Sequence, residues 1–559
     1  HEDHQCKGLY NQDQQPSIEE KFMEDFEILN IFIEQELNIH PAALSEIRKR
    51  GDTDKRIDEI ISRIQKSKVK PSIITLEYIN SMGDKDGQEI KATEGGDDEV
   101  IAKEPLTDGI VPGGQSQGFN EIQPKFNEYE VVVKKTTKRF LAEEYEPEIK
   151  INEGKDITNK SFSEGDIEGF VEYFNDRYEK IAKILRERNH LRDAATIERI
   201  KSSIYRENLR VIGIVNDVRK SRKGNTIIEL EDPTGVIPVI VLSTNSELVD
   251  ISKSVVKDEV IGIEGNGGKD NQIIIAREIF FPDLPINREP NRSEDPLALA
   301  TMSDTHVGST EFLDDVFRRF IKWLQGDMGS KSQKILAGRV KYLMICGDLV
   351  DGVGIYPGQE EELVTKDIHE QYEKFGEFIK DVPEHIEIII IPGNHDATRQ
   401  AEPQPAIFEQ HAPKLYEDPR IRMVGNPCHA TIHGVNILSY HGRSLDDIIS
   451  AIPEMSYADP EKPMIELLRK RHLSPIFGGK VPLSPEAEDH MFIDDMPDIL
   501  HFGHVHTVGA ANYRGTTIIN SGTFQKQTSF QRRLNMHPDP GKVPIIDLQS
   551  HKTTIMKFM

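Results

Sequence analysis

"IEIIIIPGNHDA" (386–397) begins as a run of isoleucines and ends in a turn that carries polar side chains. The Ile386–Pro392 region is the longest apolar stretch of the chain, and its length is typical of a buried strand. A Pro-Gly pair then ends the strand, and Asn394, His395 and Asp396 follow directly. This stretch therefore predicts an α/β domain in which metal-ligand residue types stand at a strand end.

Four further segments between Leu297 and the C-terminal end repeat the pattern of an apolar strand followed by Asp or His. They are "LALATMSDTHVGS" with Asp304 and His306, "VKYLMICGDLVDG" with Asp348, "VNILSYHGRS" with His441, and "DILHFGHVH" with His504 and His506. In open α/β sheets, sites gather beyond the carboxyl ends of the strands. We therefore expect the five strand ends to converge on one place. His501 lies upstream within its strand and is expected to be a packing residue.

The residue types at these strand ends indicate two metal ions. With His395 set aside, the candidate ligands are two Asp, one Asn and four His, which is too many for one tetrahedral ion and suits two. Carboxylate and amide oxygens mixed with imidazoles favour Mn²⁺, Fe²⁺ or Zn²⁺ over Ca²⁺. Two such cations, about 3.5–4 Å apart, activate water and clamp a phosphoryl group. A single D-x-H or a single histidine is usually a surface or packing feature, but five motifs in order are not expected by chance.

The composition limits the partners. Lys and Arg number 69 against 95 Asp and Glu, a formal net charge of −26. A chain this acidic repels nucleic acid unless metals or a basic partner offset the charge. No apolar run approaches the roughly 18–20 residues of a membrane helix, so no membrane partner is expected. Cys6, Cys346 and Cys428 form no C-x-x-C pair, which excludes a cysteine zinc finger and a disulfide framework and favours a reducing, cytoplasmic location.

The sequence predicts a multidomain chain. Five short β-branched runs between 208 and 282 are typical of an OB-like β-barrel, and a helix is expected from about Asp166 to Arg188. Few aromatic residues beyond Phe280 and Phe281 accompany these strands, which favours a structural or protein-docking barrel over one that stacks nucleobases. The expected parts are a helical N-terminal module (1–80), a flexible acidic and Gly-rich linker (81–125), a helix-and-strand connector (126–204), the barrel (205–285) and the α/β domain (296–559).

The motifs from Leu297 to Met559 resemble those of the calcineurin-like metallophosphoesterases: D-x-H, G-D-x-x-D, G-N-H-D, a later G-H-type histidine and G-H-x-H. The resemblance implies a sandwich of two β-sheets flanked by helices. It further implies the role of each residue. Asp304, His306 and His506 would hold one ion, Asn394, His441 and His504 the other, and Asp348 would bridge them. His395 would contact the phosphate and the leaving oxygen, oriented by Asp396.

An OB-like barrel joined to this domain through "EIFFPDLPINREP" (278–290) is similar to the layout of the small subunits of archaeal family-D DNA polymerases. "CGDLVDGVGIYPGQEEEL" (346–363) and "INSGTFQKQTSFQ" (519–531) also resemble that family. The resemblance implies a two-metal 3′–5′ exonuclease that proofreads single-stranded 3′ ends of DNA within a heterodimer with a large, polymerising subunit. Mn²⁺ is the favoured cation, with Zn²⁺, Fe²⁺ and Mg²⁺ as alternatives.

Two other functions remain open at this point. A non-catalytic scaffold subunit of a replicative polymerase would lack ligands, as the related eukaryotic B subunits do, but every ligand position is filled here. Another metal-dependent phosphoesterase, such as a repair nuclease or a phosphoprotein phosphatase, usually begins with its catalytic domain, whereas a barrel precedes it here. Co-purification with a large polymerase subunit would discriminate among these functions.

Overall fold

A computed structural model describes residues 140–161 and 163–559, together with Ile60 and Ser62. The chain divides into two compact units, His1–Lys135 and Thr136–Met559. In the first unit, Ile60 and Ser62 are helical and Ile60 is buried. The predicted N-terminal helical module, the Gly-rich linker and the first part of the connector lie outside the described residues.

The described part of the second unit contains ten α-helices and seventeen β-strands. The helices are α1 (Ile167–Arg186), α2 (Ile197–Ser202), α3 (Ser246–Ser252), α4 (Asp314–Leu324), α5 (Lys331–Ala337), α6 (Ile368–Lys380), α7 (Pro413–Glu417), α8 (Leu445–Ala451), α9 (Glu461–Lys470) and α10 (Ser529–Arg533). The strands are β1 (Ile149–Ile151), β2 (Leu209–Lys220), β3 (Thr226–Asp232), β4 (Gly235–Val241), β5 (Val260–Gly267), β6 (Ile274–Phe280), β7 (Ala298–Met302), β8 (Val340–Cys346), β9 (Glu387–Ile391), β10 (Ile421–Met423), β11 (Cys428–Ile432), β12 (Val435–Ser439), β13 (Ile499–Phe502), β14 (Gly509–Tyr513), β15 (Thr516–Asn520), β16 (Lys542–Asp547) and β17 (Thr553–Lys557). Among these residues, no helix combines the length and the apolar character that crossing a bilayer requires.

The five strands β2 to β6 close into a barrel in the order β2-β3-β4-β6-β5. Neighbouring strands are antiparallel except for the parallel β4–β6 pair, which closes the barrel. Apolar residues that alternate along each strand fill the interior, as Ile228 and Leu230 do on β3. The predicted five-stranded barrel is therefore present in the segment where it was expected.

Two six-stranded sheets form the remainder of the unit. One has the order β10-β9-β8-β7-β16-β17, and its strands β10 to β7 run parallel. The other has the order β1-β11-β12-β13-β15-β14, with β12, β13 and β15 parallel. The strands that end in predicted ligand residues (β7, β8, β9, β12 and β13) all belong to these parallel sets, so their carboxyl ends share one side of the sandwich.

The two sheets pack face to face and helices cover their outer faces. On β8, Met344 and Cys346 point into the apolar cluster between the sheets, while Leu343 and Ile345 point towards α4 and α6. Helices α8 and α9 cover the other sheet in the same way. Because both faces of the central strands are buried, these strands are apolar at nearly every position, which explains the four isoleucines of β9.

Strand β1 lies in the connector, upstream of the barrel, yet it pairs with β11 of the second sheet. The pairing is antiparallel, with Ile149 opposite Ile432 and Ile151 opposite Ala430. The sandwich is therefore built from residues on both sides of the barrel.

Arg177 on α1 joins the barrel to the sandwich. Its guanidinium is fully buried and donates to Asp489 Oδ2 (2.9 Å), to the Pro475 carbonyl (2.7 Å) and to the Asp258 carbonyl in the loop before β5 (3.1 Å). His472 lies 2.7 Å from the same Asp489 oxygen. A buried charge needs such a complete set of partners, so this contact holds the helix, the barrel and the sandwich in one arrangement.

Candidate metal centre

The predicted ligand residues all follow the carboxyl ends of parallel strands, and the structure brings them together. Asp304 and His306 follow β7, Asp348 follows β8, Asn394 follows β9, His441 follows β12, and His504 and His506 follow β13. His501 is buried within β13, where its ring nitrogens lie 3.1 Å from Ser439 Oγ and 2.8 Å from Ser521 Oγ.

Asp304, His306 and His506 form the first cluster. Nε2 of His506 lies 3.1 Å from Nε2 of His306 and 3.3 Å from Oδ1 of Asp304. Two ligand atoms on one ion, each about 2.1 Å from it, stand about 3.0–3.4 Å apart. Oδ1 of Asp304 is buried and has no hydrogen-bond partner among the described residues. An unsatisfied buried carboxylate oxygen between two imidazoles fits a divalent cation.

Asp348 lies between the two clusters. Its Oδ2 is 3.8 Å from Nε2 of His306 and 3.4 Å from Nε2 of His441. Its Oδ1 accepts the backbone N–H of His395 (2.8 Å), which fixes the direction of the carboxylate. One oxygen that faces a histidine of each cluster is placed as a bridging ligand would be.

Asp348, His441 and His504 form the second cluster. Nε2 of His441 lies 3.1 Å from Oδ1 of Asn394, so the amide oxygen also faces this cluster. Nδ1 of His441 lies 2.8 Å from the Cys346 carbonyl oxygen, and because a carbonyl only accepts, this contact leaves Nε2 free to bind a cation. The ring centroids of His441 and His504 are 5.2 Å apart.

The carboxylates of the centre attract positive charge strongly. Burial opposes protonation of His441, yet the charges of Asp348 and Asp304 raise its pKa to about 10. Burial opposes ionisation of Asp348, but the neighbouring His441 and His395 hold the pKa of that carboxyl well below its usual range. The buried site thus stabilises negative carboxylates beside cationic partners, which is the environment that divalent cations require.

Five of the seven predicted ligand residues have an unusual backbone conformation. Asp304, His306, Asp348, His504 and His506 all have positive φ values, between 50° and 68°. Non-glycine residues adopt this left-handed region rarely, and such strain gathers at functional sites where the surrounding structure compensates for it.

His395 lies beside the first cluster, and its orientation differs from the one expected. Nδ1 of its ring donates to the backbone carbonyl of Asp351 (2.7 Å). The expected orienting role of Asp396 has to be corrected. Its carboxylate instead accepts from the Gly393 N–H (2.8 Å), the Leu349 N–H (3.3 Å) and the Tyr372 hydroxyl (3.0 Å). Asp396 therefore stabilises the turn, because its carboxylate is hydrogen-bonded to the backbone of its own loop and of the loop after β8.

Asp351 was not assigned a role from the sequence, although it is the second Asp of the G-D-x-x-D motif. Its Oδ1 lies 3.1 Å from Nδ1 of His306 and accepts from Gln525 Nε2 (3.1 Å). A carboxylate on the outer nitrogen of a metal-binding histidine fixes the ring orientation and raises its basicity. The second Asp of the motif was the available signal, whereas Gln525 lies in the 519–531 segment, whose resemblance to the family pointed to no role for this residue.

Comparison with known proteins adds an independent observation. A family model for the B subunit of DNA polymerases alpha and epsilon matches residues 299–507. The chain is 46% identical over 393 residues to a protein of Archaeoglobus fulgidus named DNA polymerase II small subunit, covering 70% of this chain and 77% of that protein. It is 44% identical to the protein of the same name from Methanothermobacter thermautotrophicus, covering 70% and 80%. A solved archaeal phosphodiesterase overlaps 46% of this chain and 99% of its own at 13% identity, but the TM-score of 0.23 is too low to support an argument.

Proposed function

The chain belongs to the family of archaeal DNA polymerase II small subunits, and from that membership we propose that it is a metal-dependent 3′–5′ exonuclease acting on DNA. One observation carries the proposal. Seven ligand-type side chains from five strand ends, with Asp348 at their centre, meet in one place, and none of the ligand positions has been replaced by an inert residue. A scaffold subunit would have no reason to keep this set.

The residues fit two divalent cations. We propose that Asp304, His306 and His506 hold one, that Asn394, His441 and His504 hold the other, and that Asp348 bridges them. When bound, such a pair supplies an activated water nucleophile and neutralises the charge that builds on the phosphoryl oxygens. The mixed oxygen and imidazole ligands favour Mn²⁺, with Zn²⁺, Fe²⁺ and Mg²⁺ as alternatives.

His395 is the residue proposed to handle the proton of the leaving 3′ oxygen. Because Nδ1 donates to the Asp351 carbonyl, Nε2 is the ring atom left to hold or release a proton at the substrate. The His395 ring packs edge-on against the His306 ring with centroids 4.8 Å apart, so it borders the centre. Asp396 supports this arrangement by holding the turn through Gly393.

The relatives' name implies a partner for this chain. A small subunit of a polymerase is expected to act in a heterodimer with a large subunit that polymerises DNA. The net charge of −26 supports this proposal, because a strongly acidic chain gains little DNA affinity from its own surface.

The test is cleavage of a 5′-labelled single strand of DNA by the full chain, stripped of metal and reloaded with Mn²⁺. We expect a ladder that shortens from the 3′ end and two bound ions per chain by elemental analysis. Asp348→Asn keeps the shape of the side chain but removes the bridging charge, so it should hold fewer ions and cleave about 10²–10⁴-fold more slowly.

Asp367→Asn provides the matched control. Asp367 is an exposed carboxylate that caps α6 through the His369 and Glu370 N–H groups, and Asn is an equally good cap. This variant should keep its ions and its activity. Products that shorten from the 5′ end, or wild-type protein that is inactive with all four candidate metals at low salt, would contradict the proposal.

A further inference from the structure

Two segments beside the metal centre expose apolar side chains to solvent. Tyr356 lies in the loop that follows Asp351, and it is 39% exposed. Phe530 and Leu534 lie on and just after α10, and they are 56% and 55% exposed. Tyr356 and Phe530 together form what we call the aromatic rim. Exposed aromatic residues next to a reaction centre indicate a binding surface rather than packing.

Tyr356 is held next to the residue proposed to handle the leaving group. Its ring centroid is 6.5 Å from that of His395. Its hydroxyl donates to Oε2 of Glu362 (2.8 Å). The preceding Ile355 N–H donates to Gln359 Oε1, and Gln359 Nε2 donates to the Asp351 carbonyl that also holds His395. The position of the ring is therefore set by the same loop that orients His395.

The residues on either side of Phe530, Ser529 and Gln531, are both held by side-chain hydrogen bonds. Ser529 Oγ donates to Oε1 of Glu362 (2.6 Å), the carboxylate that also accepts from Tyr356. Gln531 Nε2 lies 3.0 Å from Nδ1 of His506, a predicted metal ligand. Glu362 thus ties the Tyr356 loop to α10, and both sides of the rim are connected to the centre.

The charges around the rim differ between its two sides. Glu360 and Glu361 are exposed close to Tyr356 and repel phosphate. Arg532 and Arg533 are exposed at the end of α10, and no carboxylate in residues 140–161 and 163–559 forms an ion pair with either. In a strongly acidic chain these are cations available for a phosphodiester backbone.

We propose that Tyr356 and Phe530 form a nucleobase-stacking subsite for the unpaired terminal base of a single strand, while Arg532 and Arg533 contact its phosphates. The inference rests on the proposed function and adds the residues that select the substrate. Every base presents a π-face, so stacking binds terminal nucleotides without regard to sequence. A paired terminal base must first be unpaired at a free-energy cost, so the subsite would favour frayed or mismatched ends.

The experiment compares two single strands that differ only at the 3′ end, one ending in deoxyadenosine and the other in an abasic nucleotide. The full chain with Mn²⁺ should show a kcat/KM about 10–100-fold higher for the strand that ends in a base, the range expected for one stacked base. Tyr356→Ala and Phe530→Ala should each bring that ratio towards one, mainly through KM. Tyr356→Phe keeps the ring and should retain the ratio.

Phe408→Ala is the matched control, because Phe408 is an aromatic residue of similar exposure (45%) outside the two segments. Equal kcat/KM for both ends in the wild type would overturn the inference. So would a Tyr356→Ala variant that loses the same factor on both ends, which indicates a structural role, or one that changes only binding of the large subunit, which indicates a protein interface.

A failure of the proposed function is distinguishable from a failure of this subsite. If the wild type cleaves neither strand, fluorescence anisotropy of the same two strands in EDTA still measures the preference for a terminal base. A preference that Tyr356→Ala removes would support the subsite without nuclease activity. Equal binding of both strands would overturn it.

Discussion

His395 and Asp396 are neighbours in the chain, but their side chains act on different parts of the turn after β9. The His395 ring lies beside the candidate metal centre. The Asp396 carboxylate instead accepts hydrogen bonds from two backbone N–H groups and from the Tyr372 hydroxyl. Burial and the nearby charge of Asp348 raise the pKa of Asp396 to about 7. His395 is therefore the residue proposed for chemistry, whereas Asp396 stabilises the turn.

This difference predicts separable effects of two substitutions. His395→Ala should keep both ions and an unchanged thermal midpoint, and it should lose about 10²–10⁴ in single-turnover rate. Asp396→Asn replaces one accepting oxygen by an amide N–H₂, which faces groups that themselves donate hydrogen bonds. This variant should lower the free energy of unfolding by about 1–3 kcal/mol. Metal content, thermal melting and single-turnover cleavage measure both variants. A His395→Ala protein that arrives without metal would show that His395 is a ligand.

Glu402 should make the stability depend on pH. Its carboxyl is buried and accepts from the Tyr440 hydroxyl (2.6 Å), and burial raises its pKa to about 7. The folded state therefore binds this proton more tightly than the unfolded chain, so the stability from Glu402 is present at acidic pH and is lost as the pH rises towards 7. Glu402→Gln cannot ionise.

In EDTA-treated protein, Glu402→Gln should raise the thermal midpoint at pH 8 by about 2–5 °C, and the gain should shrink towards pH 5. Melting curves of the two proteins across this range provide the measurement. A gain that is the same at both ends of the range would mean that Glu402 does not titrate there.

Residue types after strand ends were enough to predict which side chains the structure brings together, because Asp, Asn and His are rarely needed for packing there. Asp351 and Gln525 were missed since they act on the centre through other side chains, and a hydrogen-bond partner has no spacing rule along the chain. The role of Asp396 was assigned wrongly because the sequence does not show which way a turn directs a side chain.

At the scale of elements, the turn between β9 and the centre depends on a glycine. A Cβ on Gly393 would lie 2.2 Å from Oδ1 and 2.6 Å from the backbone nitrogen of Asp348. Backbone atoms cannot move aside as a flexible side chain can. Gly393→Ala should therefore displace Asp348, lose metal and lower cleavage at least about 100-fold.

Gly376→Ala is the control for this substitution. Gly376 lies within α6, where an added Cβ would meet Lys414 Cβ at 3.6 Å, an ordinary contact. This variant should keep its metal and gain up to about 1 kcal/mol of stability, because alanine is the better helix former. Full metal occupancy in Gly393→Ala would contradict the role assigned to the turn.

The elements that could be predicted are those with a strong local pattern. The barrel strands are β-branched runs with clear ends, the strands before the predicted ligands are short apolar runs, and α1 begins at its capping Asp166. Strand β1 has three residues and α10 has five, too few for a periodic pattern, and both depend on contacts with distant parts of the chain. The order of strands within each sheet is likewise a long-range property.

At the scale of the whole molecule, Arg177 should control whether the barrel and the sandwich unfold together. Replacing one partner of a buried ion pair leaves the other charge uncompensated, at a cost of about 3–5 kcal/mol. Arg177→Met should lower the thermal midpoint and separate the melting curve into two transitions. Arg219→Met removes an exposed ion pair of β2 and should leave the melting curve unchanged. A single unshifted transition in Arg177→Met would contradict this role.

The net charge of the molecule predicts dependence on a partner. The isolated chain should bind single-stranded DNA weakly and degrade it poorly near 0.15 M salt, and addition of the large subunit should improve both. Titrations by fluorescence anisotropy, with and without the large subunit, measure the difference. Tight binding by the isolated chain at that salt concentration would contradict the prediction.

The pairing of β1 with β11 makes the barrel an insertion within the sandwich rather than a separate module that precedes it. Residues 149–151 supply an edge strand of one sheet, and β7 begins the other sheet only after the barrel is complete. During synthesis, β1 leaves the ribosome long before residues 428–432, its pairing partners, have been made. The barrel can close early from local contacts, whereas the sandwich must wait for a distant part of the chain. A fragment that begins at residue 296 lacks β1 and would also expose the edge of β11. Such an exposed strand edge promotes edge-to-edge aggregation.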